Sequence, residues 1–381
     1  MKKFLILLGA CAMPMAMMAQ AEVVSAYNAN ANGDYAKAAE YIEQAMNNPK
    51  ATSKDKTWRY RGQIYSNIAN DSTLAPMYPD ALERAFQSFL KARELDPKGA
   101  YAAENKGGLL FALNLSMNNG IKNYNNNNFA QAAKDFEFSN TVSETAFDST
   151  FVYAVYNSGL CFEKAGDLDK AIEKYTAAAE LNYQVPDIYV IMVNLLSNAD
   201  RTGDALAMAK AAREKYPRNK GLILEELNIY LRENRLEEAL TNLDIAIEED
   251  GSNEVLVFSK GSVLDNLSRQ EEAQKAYERA LEIKPDFYDA LYNLGAMFFN
   301  NGAEKVNAAN EVPPKQQKLY EGLMEEAKQW FLKAKPLFEK AHTLKPDDIS
   351  TIRSLRDIYA RSGEDEKLME MSDKLKALEA K

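Results

Sequence analysis

Apolar residues along this 381-residue chain recur at steps of three and four, the spacing that gathers side chains on one face of a helix. The stretch from Glu254 to Phe287 shows the pattern most plainly. Ala273, Tyr277 and Ala280 fall on one helical face, Gly261 lies in the helical run before them, and Pro285 ends the second helix. The two alanines admit a neighbouring helix closely and the tyrosine fills the space between them. A single helical hairpin cannot bury such a face, so the pattern predicts stacked neighbours. With Ala273 as the ruler, equivalent positions are Ala38, Ala85, Ala132, Ala171, Ala205, Ala239, Ala334 and, more weakly, Leu368. The intervals are 47, 47, 39, 34, 34, 34, 61 and 34 residues, and three successive steps of 34 define a repeat. No run of strict apolar and polar alternation bounded by turns predicts a strand, so the chain reads as all-helical.

The partner four residues after each ruler position is Ile42, Phe89, Phe136, Tyr175, Ala209, Leu243, Tyr277 or Phe338. Second small residues follow at Ala45, Ala92, Ala178, Ala212, Ala246, Ala280 and Ala341, and closing turns carry Pro97, Pro217, Gly251, Pro285 and Pro346. First-helix glycines stand at Gly62, Gly159, Gly261 and Gly295, with Trp58 and Tyr65 flanking the first. This combination resembles the tetratricopeptide repeat. The resemblance implies an all-α tetratricopeptide-repeat solenoid, a right-handed superhelix of about nine helical hairpins covering the chain from about Glu22 to its end.

The irregular intervals divide the array. Extra residues around Asn70 to Pro79 separate the helices of the second repeat, and Ala100 to Tyr124 reads as an overlong first helix ended by the polar turn Asn125 to Asn128. The polar stretch Ser139 to Thr150 is the candidate bend between two sub-arrays. The 61-residue interval places an insertion after Gly302, with Pro313-Pro314 turning into an amphipathic helix carrying Leu319, Leu323, Ala327 and Trp330. Pro336 predicts a kink or break beyond it. The expected organisation is therefore a signal segment at 1–21, enlarged repeats at 22–146, a regular array at 147–302, an inserted helical segment at 303–333 and terminal units at 334–381. The 303–329 insertion reads equally as a lid, a dimer contact or decoration.

Charge and termini narrow the setting. Hydrophobic residues make up 46% and charged ones 27%, the balance of a folded soluble protein. The net charge of −10 and the absence of any basic run disfavour nucleic acid and anionic membrane surfaces. Lys2-Lys3, the apolar run from Phe4 and the small residues at Ala19-Gln20-Ala21 have the form of a secretory signal peptide, too short for a membrane span. Leu8-Gly9-Ala10-Cys11 offers the alternative of a bacterial lipobox, with a lipid anchor at Cys11. Either route predicts export, to the periplasm or as an outer-membrane lipoprotein. Cys161, on an apolar helix face, reads as a buried small hydrophobe.

Candidate chemistry is sparse. His342 is the one histidine, with no ligand-spaced partners, and no glycine-rich phosphate loop follows a strand. The acidic residues mix with Lys and Arg on what read as solvated helix faces. No metal, no cofactor and no catalytic residue is expected, because the repeats consume the chain. Asp71-Ser72-Thr73 and Asp148-Ser149-Thr150 resemble triplets that some bacteria O-glycosylate after export, and read equally as capping or turn sequences.

In tetratricopeptide arrays the concave groove is lined by the second, fifth, ninth and twelfth positions of each first helix. Carried onto this sequence, these give Tyr153, Tyr156, Val190, Asn194, Leu224, Asn228, Phe258, Ser262, Tyr292 and Phe299 as the candidate peptide groove. Leu160, Ala296 and Arg353 occupy further such positions. The fifth positions are mostly apolar, so the Lys and Arg arrangement by which some family members hold a C-terminal carboxylate is not matched. The resemblance thus implies a non-enzymatic scaffold of the bacterial cell envelope, holding a peptide or protein segment through apolar contacts with Asn194 and Asn228 free to bond its backbone. The alternatives are a lipid-anchored component of an outer-membrane assembly complex, an accessory subunit of an envelope enzyme, or a cryptic hydrolase.

Overall fold

The computed structural model describes residues 20–379. All regular structure there is helical, apart from turns and one short 3-10 segment at Ala75–Met77. Numbered in chain order, the helices are α1 (20–31), α2 (Tyr35–Met46), α3 (Pro49–Thr52), α4 (Asp55–Asn70), α5 (Ala81–Glu94), α6 (Ala102–Asn125) and α7 (Phe129–Phe147). They continue as α8 (Val152–Ala165), α9 (Leu168–Glu180), α10 (Asp187–Asn198), α11 (Thr202–Lys215), α12 (Lys220–Arg232) and α13 (Leu236–Glu249). The last are α14 (Glu254–Asn266), α15 (Gln270–Ile283), α16 (Tyr288–Asn310), α17 (Gln317–Leu344), α18 (Ile349–Ser362) and α19 (Asp365–Glu379). Setting aside the single-turn α3, the described residues form nine successive helix pairs, the all-α solenoid that the period predicts.

Two compact units divide the chain, one ending at Ile188 and the other starting at Tyr189. Of the stretch Ser139 to Thr150, where the sequence places its bend, helix α7 takes up the part as far as Phe147 and leaves 148–150 non-helical. Ser139, Val142 and Ser143 are buried on one face of α7, and the Ser139 hydroxyl donates to the Leu113 carbonyl. Small polar residues at helical spacing serve a close helix contact, which polarity alone conceals. The helix ends where Asp148 adopts a left-handed conformation, φ 51°. The Asn turn before α7 is as expected, with Asn127 left-handed at φ 61°.

Several hairpins close on an aromatic side chain of the second helix, Phe89, Phe136, Tyr175, Tyr277 or Phe338, set against a first-helix glycine. In α14 and α15, a Cβ added at Gly261 would lie 2.7 Å from the Tyr277 ring, closer than any real carbon contact, so glycine is what lets the ring seat against the first helix. Ala273, Tyr277 and Ala280 are all buried.

The long interval after Gly295 is resolved differently from the expectation of a separate inserted element at 303–333. Both helices of one hairpin are lengthened: α16 reaches Asn310 and α17 starts at Gln317. The lengthened part is zipped by a second glycine contact of the same kind. Gly295 faces Phe338, and seven residues along each helix in opposite directions Gly302 faces Phe331. Seven residues is about two turns, so the second contact returns to the same face of both helices. The expected break at Pro336 is also absent, since α17 runs unbroken from Gln317 to Leu344. Ala334 and Phe338 are locked into the core on either side of the proline, which itself is exposed. The carbonyl left without its helical bond belongs to Leu332, an exposed residue whose backbone water can satisfy.

Candidate functional site

The predicted groove residues divide between the two units. In the first, Tyr153 is exposed near the start of α8, and its ring lies 6.4 Å from that of Phe151. Tyr156 is half-buried, with its ring 5.4 Å from Tyr175 and 5.2 Å from Tyr183. Burial raises the Tyr156 hydroxyl above its ordinary pKa, so it stays a neutral donor.

The remaining candidates lie in the second unit, on α10, α12, α14 and α16. Phe258 sits 5.7 Å from Tyr277 and 5.1 Å from Phe287, Tyr292 sits 5.7 Å from Phe338, and Phe299 sits 5.3 Å from Phe331. All three are half-buried. Their rings therefore pack on the closing aromatics of the second helices, as Tyr156 does, and each leaves only part of its surface to solvent. Val190 is half-buried too, and its Cγ2 methyl fills the space beside Gly221 of the next first helix.

The exposed candidates are Leu224, at 39%, with Asn194 and Asn228. Val255, at 52%, extends this apolar surface on α14 and follows from the same second-position rule. Asn194 is engaged from both sides: its amide faces the Glu225 carboxylate at 3.3 Å, and its carbonyl accepts from Asn198 at 2.9 Å. Arg232 donates to the Ser197 carbonyl at 2.8 Å, a second link between the first helices α10 and α12. Ser262 is half-buried, and burial, with the Asp265 charge adding to it, pushes the pKa of the Tyr277 hydroxyl up to about 12.

Reading the charged residues as solvated faces misses two interior groups. Arg59, in the first unit, is 5% exposed and lies over the Tyr101 ring at 3.5 Å, paired to Asp55 at 3.2 Å and Glu104 at 2.7 Å. Glu226, in the second, is buried between the Arg213 guanidinium and the Tyr230 hydroxyl, which donates to it at 2.8 Å. Both stand on the buried stripe of their helices, Arg59 with Gly62 and Ser66, Glu226 with Leu222, Ile223 and Tyr230. That register was the available signal.

Burial pushes the Cys161 thiol up to about 12, with the Asp135 charge adding to it, so the thiol is protonated and inert at neutral pH. His342 is half-buried on α17, where burial and then Lys374 hold it below the ordinary histidine pKa. Both Asp-Ser-Thr triplets lie in exposed segments between helices. Asp71 accepts from the Thr73 amide and hydroxyl and the Leu74 amide, and Thr150 donates to Glu144. Cys11 and the signal segment up to residue 19 lie outside the described residues. Among the described residues no helix is long and apolar enough to cross a membrane.

Stacked helix pairs with exposed side chains on successive first helices define a repeat solenoid that presents a surface, and comparison with known proteins names its kind. Residues 154–189 match a family model described as a tetratricopeptide repeat, and residues 266–302 match a TPR repeat model. The chain therefore carries tetratricopeptide repeats at these two segments. Among solved structures it is similar to MamA (18% identity, 51% of this chain, 91% of that chain, TM-score 0.40). It is also similar to YrrB, described as a TPR protein with an unusual peptide-binding site (17%, 47% and 90%, TM-score 0.36). A third is a tetratricopeptide repeat protein from Parabacteroides merdae (15%, 59% and 79%, TM-score 0.39). No match was found among curated proteins.

Proposed function

We propose that this protein is a non-enzymatic scaffold of the bacterial cell envelope that holds an extended protein segment on the first-helix surface of its second unit. The observation that carries this reading is the surface built by Leu224 and Val255, exposed on the successive first helices α12 and α14, beside the exposed amide of Asn228; Asn194, expected to be available, is already bonded to Glu225 and Asn198. Apolar anchors beside side-chain amides suit a peptide, whose side chains need apolar contact and whose backbone needs donors and acceptors. Phe258, Tyr292 and Phe299 form the floor, and their closing contacts with Tyr277, Phe338 and Phe331 make them supports more than anchors.

Export rests on the N-terminal pattern of Lys2-Lys3 and the following apolar run. Mass spectrometry of the N-terminal peptide from envelope fractions separates cleavage after Ala21 from a lipid on Cys11.

To test the surface, Leu224→Arg and Val255→Arg are compared with Phe258→Ala. The first two replace exposed side chains, so melting stays near that of the parent. Both should lose a partner that cross-links to the parent protein in cells, whereas Phe258→Ala lowers melting as well. Retention of the partner by both arginine variants refutes the assignment of this surface.

A further inference from the structure

The lengthened hairpin creates a second surface. Because α17 has 28 residues and α18 has 14, the neighbouring helix covers only the later half of α17 on that side. Beside the uncovered half lies a cavity of about 720 Å³, lined by Val306 of α16, Tyr320, Met324, Phe331 and Leu332 of α17, and Ile358 of α18. On α17 the stripe Tyr320, Met324, Ala327 and Phe331 runs at steps of four, three and four, continuing the seam on which α18 packs. Leu332 is 50% exposed and Tyr320 38%. The uncovered turns, 317–330, span about 20 Å, room for a helix of about fourteen residues.

The charges around this ledge have an order. Glu321 and Glu325 stand at the α17 N-terminal end, where among the described residues their hydrogen bonds come from the neutral amides of Gln317 and Gln329. Lys328, Lys335 and Arg361 stand toward the other end. Lys335 is paired with Glu364 at 2.6 Å, while Arg361 lies over the Phe331 ring at 4.9 Å. Neither Arg361 nor Lys328 faces a carboxylate at ion-pair distance among the described residues. The ledge thus has an apolar floor with uncompensated negative charge at one end and uncompensated positive charge at the other.

We infer that this ledge docks an amphipathic helix of a partner protein, with a leucine-type apolar face and side-chain charge that is basic at one end and acidic at the other. A helix fits because the seam already holds one in its later half. The bipolar charge fits because each end of the occupant would meet the opposite sign. The site is separate from the first-helix surface proposed above, since it is built by the side of α17 that faces α18.

The test uses the full-length protein and three synthetic fourteen-residue helical peptides sharing one leucine stripe. One carries Lys in its first half and Glu in its second, one carries Lys throughout and one Glu throughout, each read by fluorescence anisotropy. The bipolar peptide should bind about tenfold more tightly than either uniform one, the sum expected of two or three partly exposed charge pairs. Glu321→Lys combined with Glu325→Lys makes the ledge uniformly basic and should move the preference to the Glu peptide. Leu332→Glu, at an exposed position that leaves folding intact, should abolish binding of all three. Equal binding of the three peptides, or no binding by any of them up to millimolar concentration, overturns the inference. So does a dimer in sedimentation that Leu332→Glu dissociates, because the occupant would then be a second copy of this chain.

Discussion

Replacing Gly261 by alanine tests the glycine–aromatic contact that closes the hairpin of α14 and α15. Two effects oppose each other. Alanine in a helix interior is favoured over glycine by about 1 kcal/mol, because glycine has more backbone freedom to lose. Against this, the new methyl would stand 2.7 Å from Cδ1 and Cε1 of Tyr277, where carbon atoms prefer about 3.5–4.0 Å. The ring has no room to retreat: it is 1% exposed and it meets Phe258 at 5.7 Å. Overpacking of this kind costs about 1–3 kcal/mol, and because the ring is fully buried the upper part of that range applies, so after the helix gain the substitution should destabilise by up to about 2 kcal/mol. Gly322→Ala on α17 is the control, since nothing lies within 4 Å of its added Cβ and only the helix gain of about 1 kcal/mol remains. Urea unfolding followed by circular dichroism should therefore shift the two midpoints in opposite directions. Combining Gly261→Ala with Tyr277→Leu should recover about 1 kcal/mol relative to additivity, because the clash partner has gone. If Gly261→Ala raises the midpoint as Gly322→Ala does, glycine is not what admits the ring and the steric account of the repeat is wrong.

Two further predictions concern charge. Arg59→Ala leaves Glu104 and Asp55 without their cation, and since these carboxylates are about a third and a quarter exposed the loss should fall near 2–3 kcal/mol. Arg59→Lys should recover less than half of it, as an ammonium cannot lie flat on Tyr101, and urea midpoints of the three proteins decide this. Hydrogen bonds from Lys335 and Ser362 hold the Glu364 carboxyl down at about 2, against an ordinary value of 4.5. A depressed carboxyl stabilises the fold above pH 4.5 and loses that contribution as the pH falls through about 2, so the melting difference between the parent and Glu364→Gln should close over that window.

The repeat was legible because its signal is steric and periodic: Ala273, Tyr277 and Ala280 need particular sizes at particular steps. From Ser139 to Phe147 small polar residues suit helix contacts and turns alike, and the Leu113 carbonyl beside Ser139 marks the helical one. Pro336 was misread because a local rule was applied where burial of Ala334 and Phe338 on both sides fixes the helix. The floor of the candidate surface shows a different limit. Phe258 and Tyr292 stand at the expected positions, yet position does not reveal whether a ring spends its area on Tyr277 and Phe338 or on a ligand. Val255 and Leu224 differ in being exposed, at 52% and 39%.

The departures from the 34-residue period say why apolar surface collects where it does. In a regular array each helix meets neighbours of its own length, and the face that one repeat cannot bury is covered by the next. Lengthening one hairpin breaks that match, because α18 keeps the ordinary 14 residues while α17 extends to 28. The Gly302 contact with Phe331 holds the extension zipped to its own partner helix, so the tip stays folded without a neighbour. What remains open is the side that a neighbour would have covered, with Leu332 and Tyr320 exposed on it. Polar residues there would have removed any cost of leaving it bare. Shortening tests this directly: removing seven residues from each helix, 303–309 and 324–330, preserves the helical faces on both sides of each join. It should leave the Gly295 and Phe338 contact and the melting of the remaining hairpin near the parent's, while abolishing the peptide binding proposed for the ledge. Collapse of the whole second unit would show instead that the extension serves the fold.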